Sequence, residues 1–278
     1  MNRPEELEQC LKSVFEAEAI PDEVIVSDDS PDDEAGKAVT SRYPGAIYKI
    51  GPRCGLGSNR NACIRAASSS HLIFIDDDVQ VSPTFFHIAR QLITSSPCQT
   101  LITGYEINYA EEQVRKITPH NIDFWGLQRV PVAHDYRSIV MNAAIFPRSL
   151  FEQALFDECL RYGSEEIDMA CHAVSLGYQI IYNDRLYVSH YPSPVNREYY
   201  RRFIHASRLY ATTKTYWQYE RSLPKTLAYL LFAPLQLVGS AIRHGDVDGV
   251  WSAFQSIALA VEYLSTQPKA IKSIGLKS

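Results

Sequence analysis

The sequence predicts an α/β domain with a mostly parallel β-sheet flanked by helices, followed by a helical C-terminal segment. Apolar stretches of about five residues alternate with amphipathic stretches of about ten, which is typical of β-α-β units. Two acidic clusters, Asp28-Asp29 and Asp76-Asp77-Asp78, each follow directly on a predicted strand. Open α/β sheets bind their ligands at the carboxyl ends of strands, so this position points to a site.

Local signals place the individual elements. Pro4 suits the first turn of a helix, and Leu7, Leu11 and Val14 fall on one face of it. Gly177 ends another predicted helix. The predicted strands are 23–27, 46–50, 71–75, 99–103, 138–146, 178–182 and 186–190. The predicted helices are 4–15, a polar one after Pro31 to about Tyr43, 58–67, one from 83, 165–176, and from 197 to near the end. The region 108–137 is predicted to be rich in loops.

The composition is that of a globular protein. Of the 278 residues, 46% are apolar and 21% are charged, which excludes a disordered or fibrous chain. The six cysteines form no CxxC pair and have no zinc-ligand spacing, so we expect reduced thiols. The N-terminus lacks a signal-peptide pattern, and we therefore expect a cytoplasmic location.

Charge divides the chain into two parts. Residues 1–196 hold 16 Lys and Arg against 27 Asp and Glu, a balance of −11, whereas residues 197–278 hold 11 against 5, a balance of +6. We predict a catalytic domain over 1–196 with a metal or polar-ligand site. The basic segment 197–278 is expected to meet an anionic surface.

The acids after the strand 71–75 suit a divalent cation. On an extended backbone Asp76 and Asp78 would share a face, and two such carboxylates repel each other unless a cation lies close by. Oxygen ligands favour Mg²⁺ or Mn²⁺, which commonly also hold a substrate diphosphate. An acidic turn that only caps the strand is the alternative.

Three further groups are candidates for chemistry. Asp28 and Asp29 can accept hydrogen bonds from a nucleobase or a ribose, although the same residues are common in turns. Arg60, which follows two glycines at a helix start, can meet a phosphate or an acidic ligand. Within Glu165-Glu166-Ile-Asp168, one carboxylate is a candidate general base, or the three acids only complement the helix dipole.

The order of these motifs resembles the family 2 inverting glycosyltransferases with the GT-A fold, over roughly residues 2–220. The stretches that carry the resemblance are Asn2-Arg3-Pro4, Asp28-Asp29-Ser30, Gly55-Leu-Gly-Ser-Asn-Arg60-Asn61, Asp76-Asp77-Asp78, Ser164-Glu165-Glu166-Ile-Asp168 and His190. The resemblance implies transfer of a sugar from a nucleotide-diphospho-sugar to an acceptor hydroxyl with inversion. Cell-surface polysaccharide or glycolipid synthesis is the expected setting, with a glycan or lipid-linked acceptor.

The resemblance also implies roles for single residues. The donor-binding residues would be Arg3, Asp28, Asp29, Arg60, Asp76 and Asp77. Mg²⁺ or Mn²⁺ would be held by Asp78, with Asp76 and His190 as further ligands. Glu166 would be the catalytic base, with Glu165 beside it and Asp168 as the next candidate.

One departure from the family pattern concerns the start of the chain. The family has an apolar strand directly before the stretch that matches Asn2-Arg3-Pro4, and here only Met1 precedes it. We therefore expect the catalytic domain to lack its first strand, with Val24–Ser27 and Leu72–Ile75 lying beside the gap. A catalytically impaired nucleotide-sugar-binding remnant is accordingly one alternative function.

Other readings remain open at this point. A haloacid-dehalogenase-like phosphatase would want Thr or Val where Gln80 stands, and a sugar-nucleotide pyrophosphorylase would want a glycine-rich stretch near its start. In the C-terminal segment, basic and aromatic residues over 197–225 precede the uncharged stretch 226–242. This pattern predicts a helix lying peripherally on the inner face of the cell membrane, with a helix that crosses the membrane as the alternative. No nucleic-acid-binding module is recognisable.

Overall fold

The computed structural model describes residues 2–110, 113–132, 135–192, 197–245 and 247–266, except for the side chains of 197–199. The helices are α1 (Pro4–Phe15), α2 (Glu34–Thr40), α3 (Leu56–Ala66), α4 (Phe85–Ser95), α5 (Arg148–Phe151), α6 (Glu165–Ser175), α7 (Arg197–Lys214), α8 (Leu223–Arg243) and α9 (Val247–Thr266). The strands are β1 (Val24–Asp28), β2 (Ala46–Ile50), β3 (His71–Ile73), β4 (Val79–Val81), β5 (Thr100–Asn108), β6 (Arg115–Ile117), β7 (Asn121–Ile122), β8 (Gln128–Arg129), β9 (Ala144–Pro147) and β10 (Gln179–His190). A 3₁₀ turn covers Met141–Ala143 and a π-helical turn covers Thr215–Tyr219.

The predicted α/β class is confirmed, but the central sheet is mixed and not mostly parallel. Its strand order is β3-β9-β5-β10-β4, with β6 added to β5. Only β5 and β10 run parallel within it, and the other pairs are antiparallel. The direction changes because β9 enters from the loop-rich region after β5 and inserts between β3 and β5 without a helical crossover.

Strands β1 and β3 each have an open edge in the part of the chain that the structure describes. Strand β1 pairs with β2 in a separate two-stranded parallel sheet, and β3 pairs with β9 alone. These are the two strands expected beside a gap. That the catalytic domain lacks its first strand stays a prediction.

Several predicted boundaries shift for local reasons. The strands expected at 178–182 and 186–190 are one strand, β10, with a register shift between Tyr182 and Tyr187. The strand expected at 138–146 begins only at Ala144, after the 3₁₀ turn. Apolar runs do not mark such irregularities, because periodicity reports burial and not hydrogen bonding.

Two apolar clusters cover the two faces of the central sheet. Phe146 belongs to one cluster together with Phe74 and Phe156, whereas its neighbour Ile145 belongs to the other, with Val188. Consecutive strand residues point to opposite faces, so both faces are buried. A third cluster joins α7, α8 and α9 to Leu160 and to the partly buried Phe124 and Trp125.

Candidate active site

The three consecutive acids lie in a turn between β3 and β4. The Val79 backbone N–H donates to the Asp76 carbonyl at 3.2 Å, so the chain bends there and Asp76 and Asp78 do not share one face of a strand. The Asp76 side chain is 39% exposed, whereas the Asp78 side chain is 8% exposed. Asn142 Oδ1 accepts the Asp76 backbone N–H at 2.9 Å and fixes the start of the turn.

Arg3 neutralises this turn from the start of α1. Its Nη1 donates to Asp78 Oδ2 at 2.7 Å, and its Nε donates to Asp77 Oδ2 at 3.1 Å. Burial alone would lower the pKa of Arg3, but the charges of Asp77 and Asp78 raise it. Arg3 therefore holds the acidic turn directly, a contact that the sequence analysis did not foresee.

On the other side of Asp78 lies a buried acid that the sequence analysis missed. His190 Nε2 lies 3.3 Å from Asp78 Oδ1, and its Nδ1 lies 2.7 Å from Glu106 Oε1. Burial would lower the pKa of His190, but hydrogen bonds with Asp78 and Glu106 raise it to about 10. Glu106 is a single acid within the apolar strand β5, and that pattern is the signal by which it could have been found.

The donor types at this end of the sheet suit Mg²⁺ or Mn²⁺. Asp78 contacts His190, and the exposed carboxylate of Asp76 lies in the same turn between β3 and β4 as Asp78. Carboxylate and imidazole groups are ligands for such cations. Within the described residues, no three such side chains converge closely enough to hold an ion by themselves. An ion at Asp78 would have to compete with Arg3 and with the His190 proton, and the predicted metal site stays a prediction.

Helix α3 connects the separate acidic segments through three consecutive side chains. Asn59 Nδ2 donates to the Ser27 carbonyl of β1 at 3.1 Å, and Arg60 Nη2 lies 3.4 Å from Asp76 Oδ1. Asn61 Nδ2 donates to the Phe156 carbonyl at 2.9 Å. Successive helical side chains project about 100° apart, so one turn of α3 reaches three different segments.

The carboxylates at the end of β1 are held within their own loop. Asp28 accepts hydrogen bonds from the Tyr48 hydroxyl at 3.0 Å and the Ser30 backbone N–H at 2.8 Å. Asp29 Oδ1 accepts the Arg53 backbone N–H at 2.9 Å, and a Cβ at Gly51 would lie 2.1 Å from that oxygen. A side chain at position 51 would therefore displace the Asp29 carboxylate. Helix α3 links this loop to Asp76.

The acids of α6 begin at a strained turn. Gly163 and Ser164 have φ values of 83° and 69°, and a serine rarely adopts this left-handed conformation. Glu165 and Glu166 follow at once, and the charge of Arg60 lowers the pKa of both, against the larger effect of burial. Arg60 thus contacts Asp76 and lies near enough to the α6 acids for its charge to act on them.

The two glutamates have different environments. Glu165 is 6% exposed, and its Oε1 has no hydrogen-bond partner among the described residues. Burial and the Glu166 charge raise the pKa of Glu165 to about 7. Glu166 is half-buried, its Oε1 accepts a hydrogen bond from Gln128 Nε2 at 3.3 Å, and burial raises its pKa. Glu166 is thus the more accessible of the two acids.

The structure does not place Asp168 with these two acids. Asp168 is 2% exposed, and its Oδ2 accepts from Lys214 Nζ at 2.9 Å while its Oδ1 accepts from the Tyr219 hydroxyl at 3.0 Å. Lys214 Nζ also donates to Asp157 Oδ2 at 2.6 Å. Both oxygens of Asp168 are engaged in this buried network, which fits a structural role for Asp168.

Replacing Glu165 with glutamine is expected to make the fold more stable than wild type above about pH 7, and equally stable below about pH 4.5. Because the pKa of folded Glu165 is raised from 4.5 to about 7, wild-type stability falls as pH rises between these values. At about 1.36 kcal/mol per pKa unit, the loss approaches about 3 kcal/mol. Urea unfolding from pH 4 to 8.5 measures it, with the exposed Glu152→Gln as control. Parallel pH profiles for wild type and Glu165→Gln would contradict the assignment.

Comparison with known proteins identifies the family. The model of the family described as "Glycosyl transferase family 2" matches residues 1–158, which is more than half of the 278-residue chain. The chain belongs to glycosyl transferase family 2. Membership in this family sets aside the phosphatase and pyrophosphorylase alternatives, and it confirms the resemblance on which the site residues were chosen.

Two relatives of this family 2 member are similar over part of their length. The amylovoran biosynthesis glycosyltransferase AmsE of Erwinia amylovora is 25% identical over 148 residues, which cover 50% of this chain and 55% of that protein. The uncharacterized protein MT1568 of Mycobacterium tuberculosis (strain CDC 1551 / Oshkosh) is 38% identical over 79 residues, 28% of this chain and 25% of that protein. The chain thus matches about half or less of the length of these relatives.

Solved structures share the fold of this family 2 member at low sequence identity. GalNAc-T7 with UDP, GalNAc and Mn²⁺ has a TM-score of 0.56 at 17% identity, covering 79% of this chain and 50% of that chain. The mannosyltransferase PcManGT from Pyrobaculum calidifontis, in complex with GDP-Man and Mn²⁺, has a TM-score of 0.55 at 15% identity, covering 96% and 85%. TarS 1–349 of S. aureus has a TM-score of 0.53 at 15% identity, covering 96% and 90%. The predicted GT-A fold is therefore confirmed.

Proposed function

We propose that this chain transfers a sugar from a nucleotide-diphospho-sugar to an acceptor hydroxyl, with inversion at the anomeric carbon. The observation that carries the proposal is the position of Arg60, which contacts Asp76 and whose charge acts on Glu165 and Glu166. This position supports a single site that includes Asp76, proposed to hold the metal for the donor diphosphate, and Glu166, proposed to take the acceptor proton. Synthesis of cell-surface polysaccharide or glycolipid is the setting we propose, and AmsE, by its name an amylovoran biosynthesis glycosyltransferase, supports it.

On the acceptor side, Glu166 takes the proton of the attacking hydroxyl. The acceptor oxygen forms the new bond to the anomeric carbon as the bond to the diphosphate oxygen breaks, and the nucleoside diphosphate leaves with that electron pair. A general base must reach the proton it removes, and Glu166 is the accessible one of the two glutamates. Its raised pKa makes it a stronger base once it is ionised.

On the donor side, the chain supplies both cations and metal-binding acids. Asp78, Asp76 and His190 are the residues that would hold Mg²⁺ or Mn²⁺, which when bound neutralises charge that develops on the leaving diphosphate. Arg60 provides a fixed positive charge beside Asp76. Asp28 and Asp29 are proposed to meet the nucleoside. Two fold neighbours are named as complexes with Mn²⁺ and with UDP or GDP-Man, which supports the proposed binding of a divalent metal and of a nucleotide.

With Mn²⁺ present, the wild-type chain is expected to release nucleotide from a UDP- or GDP-sugar, and Asp78→Asn to lose this activity together with its metal-dependent nucleotide affinity. Loss of a residue that only supports a ligand costs 10- to 100-fold in metal affinity, so loss of a direct ligand should cost at least about 100-fold. Calorimetry with Mn²⁺ and UDP or GDP measures binding, and a coupled assay measures release. The exposed Asp22→Asn is the control.

One outcome would contradict the proposed sugar transfer, and another would contradict only the proposed metal ligand. Nucleotide binding by wild type without turnover of any UDP- or GDP-sugar, with all acceptors tried and water, would favour the catalytically impaired remnant. Unchanged Mn²⁺-dependent affinity in Asp78→Asn would remove Asp78 from the metal site while leaving the proposed transfer intact.

A further inference from the structure

The two C-terminal helices carry an unusual amount of exposed apolar surface. Of 24 large apolar side chains that are exposed in the described residues, 12 lie between 217 and 261. Those twelve are Trp217, Leu223, Leu227, Leu230, Leu231, Phe232, Leu235, Ile242, Val247, Trp251, Phe254 and Val261. Soluble proteins rarely expose contiguous apolar patches of this kind, and such patches mark interaction surfaces.

On α8 the apolar residues occupy both sides of the helix. The residues buried against the third cluster are Thr226, Tyr229, Ala233, Leu237 and Ala241, at helical spacing. Leucines 223, 227, 230, 231 and 235 lie outside that face and are exposed. Helix α8 is long and apolar enough to cross a membrane by length and composition, yet only 28% of its most apolar stretch is buried. A helix that is apolar on all sides is normally buried on all sides. The exposed side of α8 therefore lacks the apolar neighbour that its sequence calls for.

Helix α9 repeats this arrangement. Its buried side consists of Gly249, Ala253, Ser256, Ala260 and Tyr263. Val247, Trp251, Phe254 and Val261 follow each other at intervals of four, three and seven residues and are exposed. Small residues on the buried side bring α9 close to its neighbours. The exposed side chains of α8 and α9 therefore form the outer surface of one hairpin, which we name the outer stripe.

We infer that the outer stripe lies in the surface of a phospholipid membrane, with α8 and α9 parallel to it. Between Lys225 and Arg243 no charged residue interrupts α8, and between Asp248 and Glu262 none interrupts α9. The stripe offers hydrocarbon and almost no hydrogen-bonding groups, whereas protein interfaces carry about one hydrogen bond per 100–200 Å². Lipid therefore suits this surface better than a second copy of the chain does.

The charge distribution also favours an orientation in which the helical end faces the membrane. Residues 197–278 have a balance of +6, against −11 for residues 1–196, so an anionic surface attracts the helical end and repels the catalytic part. On the hairpin and its ends, Arg221, Lys225 and Arg243 are accompanied by Glu220, Asp246, Asp248 and Glu262. Because these charges nearly cancel, the apolar stripe is the main source of binding, and the basic residues outside the hairpin add to it.

The packing of the inner side keeps the hairpin from crossing. Tyr229 and Leu237 of α8 pack with Tyr210 of α7 in the third cluster. Lys214, at the end of α7, is fixed in turn to Asp157 and Asp168. Insertion across a bilayer would separate these contacts, whereas lying in the interface uses only side chains that are already exposed.

Co-sedimentation of the full chain with vesicles tests the inference. Vesicles of phosphatidylcholine alone and of phosphatidylcholine with phosphatidylglycerol should both bind the chain, the second more tightly, and 0.5 M NaCl should not abolish binding. Leu227→Ser/Leu231→Ser/Phe254→Ser should lower the partition coefficient at least about 100-fold. The matched control is Ile50→Ser/Val130→Ser/Val132→Ser, which changes three exposed apolar residues outside the hairpin and should bind like wild type.

Three results would overturn the inference. The first is wild-type protein that stays in the supernatant with both kinds of vesicle. The second is binding to anionic vesicles alone, if 0.5 M NaCl abolishes it and the stripe variant binds as well as wild type. Basic residues would then be responsible for the binding. The third is a soluble dimer, seen by light scattering, that the stripe variant converts to a monomer without any vesicle binding by wild type. Thermal unfolding of both variants checks that each is folded.

Discussion

Replacing Glu166 with glutamine is expected to reduce sugar transfer by about 100- to 10,000-fold, which is the usual contribution of a general base. Donor affinity should change less than about threefold, because Glu166 is not among the residues assigned to the donor. Glutamine has nearly the same shape and can keep the contact with Gln128. The experiment needs an acceptor that wild type uses, and it separates steady-state transfer from nucleotide binding by calorimetry.

The pH profile gives the same test a second readout. Only the ionised form of Glu166 accepts a proton, so wild-type activity should fall as pH drops through its pKa, which burial raises above 4.5. The residual activity of Glu166→Gln should lack that acid limb. If Glu166→Gln transferred sugar at the wild-type rate, Glu165 would be the next candidate, because its pKa is also raised and it adjoins Glu166.

Replacing Lys214 with methionine is expected to lower the free energy of unfolding by about 3–5 kcal/mol, the cost of leaving a buried charge without its partner. Lys214 is 9% exposed and lies 2.6 Å from Asp157 and 2.9 Å from Asp168. Burial alone would lower the pKa of Lys214, but the charges of Asp168 and Asp157 raise it, so Lys214 stays charged at neutral pH. Typical domains are stable by only about 5–15 kcal/mol, so this loss is a large part of the total.

Two variants give the Lys214 prediction its controls. Lys225→Met removes a half-exposed lysine that lies 2.6 Å from Glu220, and surface pairs contribute about 0–1 kcal/mol. Lys214→Met/Asp157→Asn/Asp168→Asn removes the opposing charges as well and should recover part of the loss. Urea unfolding followed by circular dichroism measures all three. Equal stability of Lys214→Met and Lys225→Met would show that the buried network contributes little.

The Lys214 network also connects the C-terminal helices to α6. The π-helical turn directly after Lys214 places the Tyr219 hydroxyl on Asp168, and the Tyr219 ring stacks on His172 with ring centroids 4.6 Å apart. Asp168 lies two residues after Glu166 in the first turn of α6. These contacts join α7 to the start of α6, so the proposed membrane surface and the proposed base are parts of one connected structure.

The sequence by itself determined the elements that depend on neighbouring residues. Helix α1 was predicted with the bounds that the structure shows, because Pro4 and the spacing of Leu7, Leu11 and Val14 are local signals. The acids at 76–78 and 165–166 could be selected as site residues because each group directly follows or begins a recognisable element. Their order along the chain was enough to predict the family, which the family match confirms.

Only the tertiary structure decided which partners these residues have. Arg3 reaches Asp78 across 75 residues, His190 reaches Glu106 across 84, and Lys214 reaches Asp168 across 46. Each pair depends on strand order and on the packing of helices, and no local periodicity encodes either of these. The direction of β9 was likewise decided by where the chain enters the sheet. Glu165 and Glu166 are adjacent acids with similar local signals. Only the packing of α6 decides that the first is buried and the second half-buried.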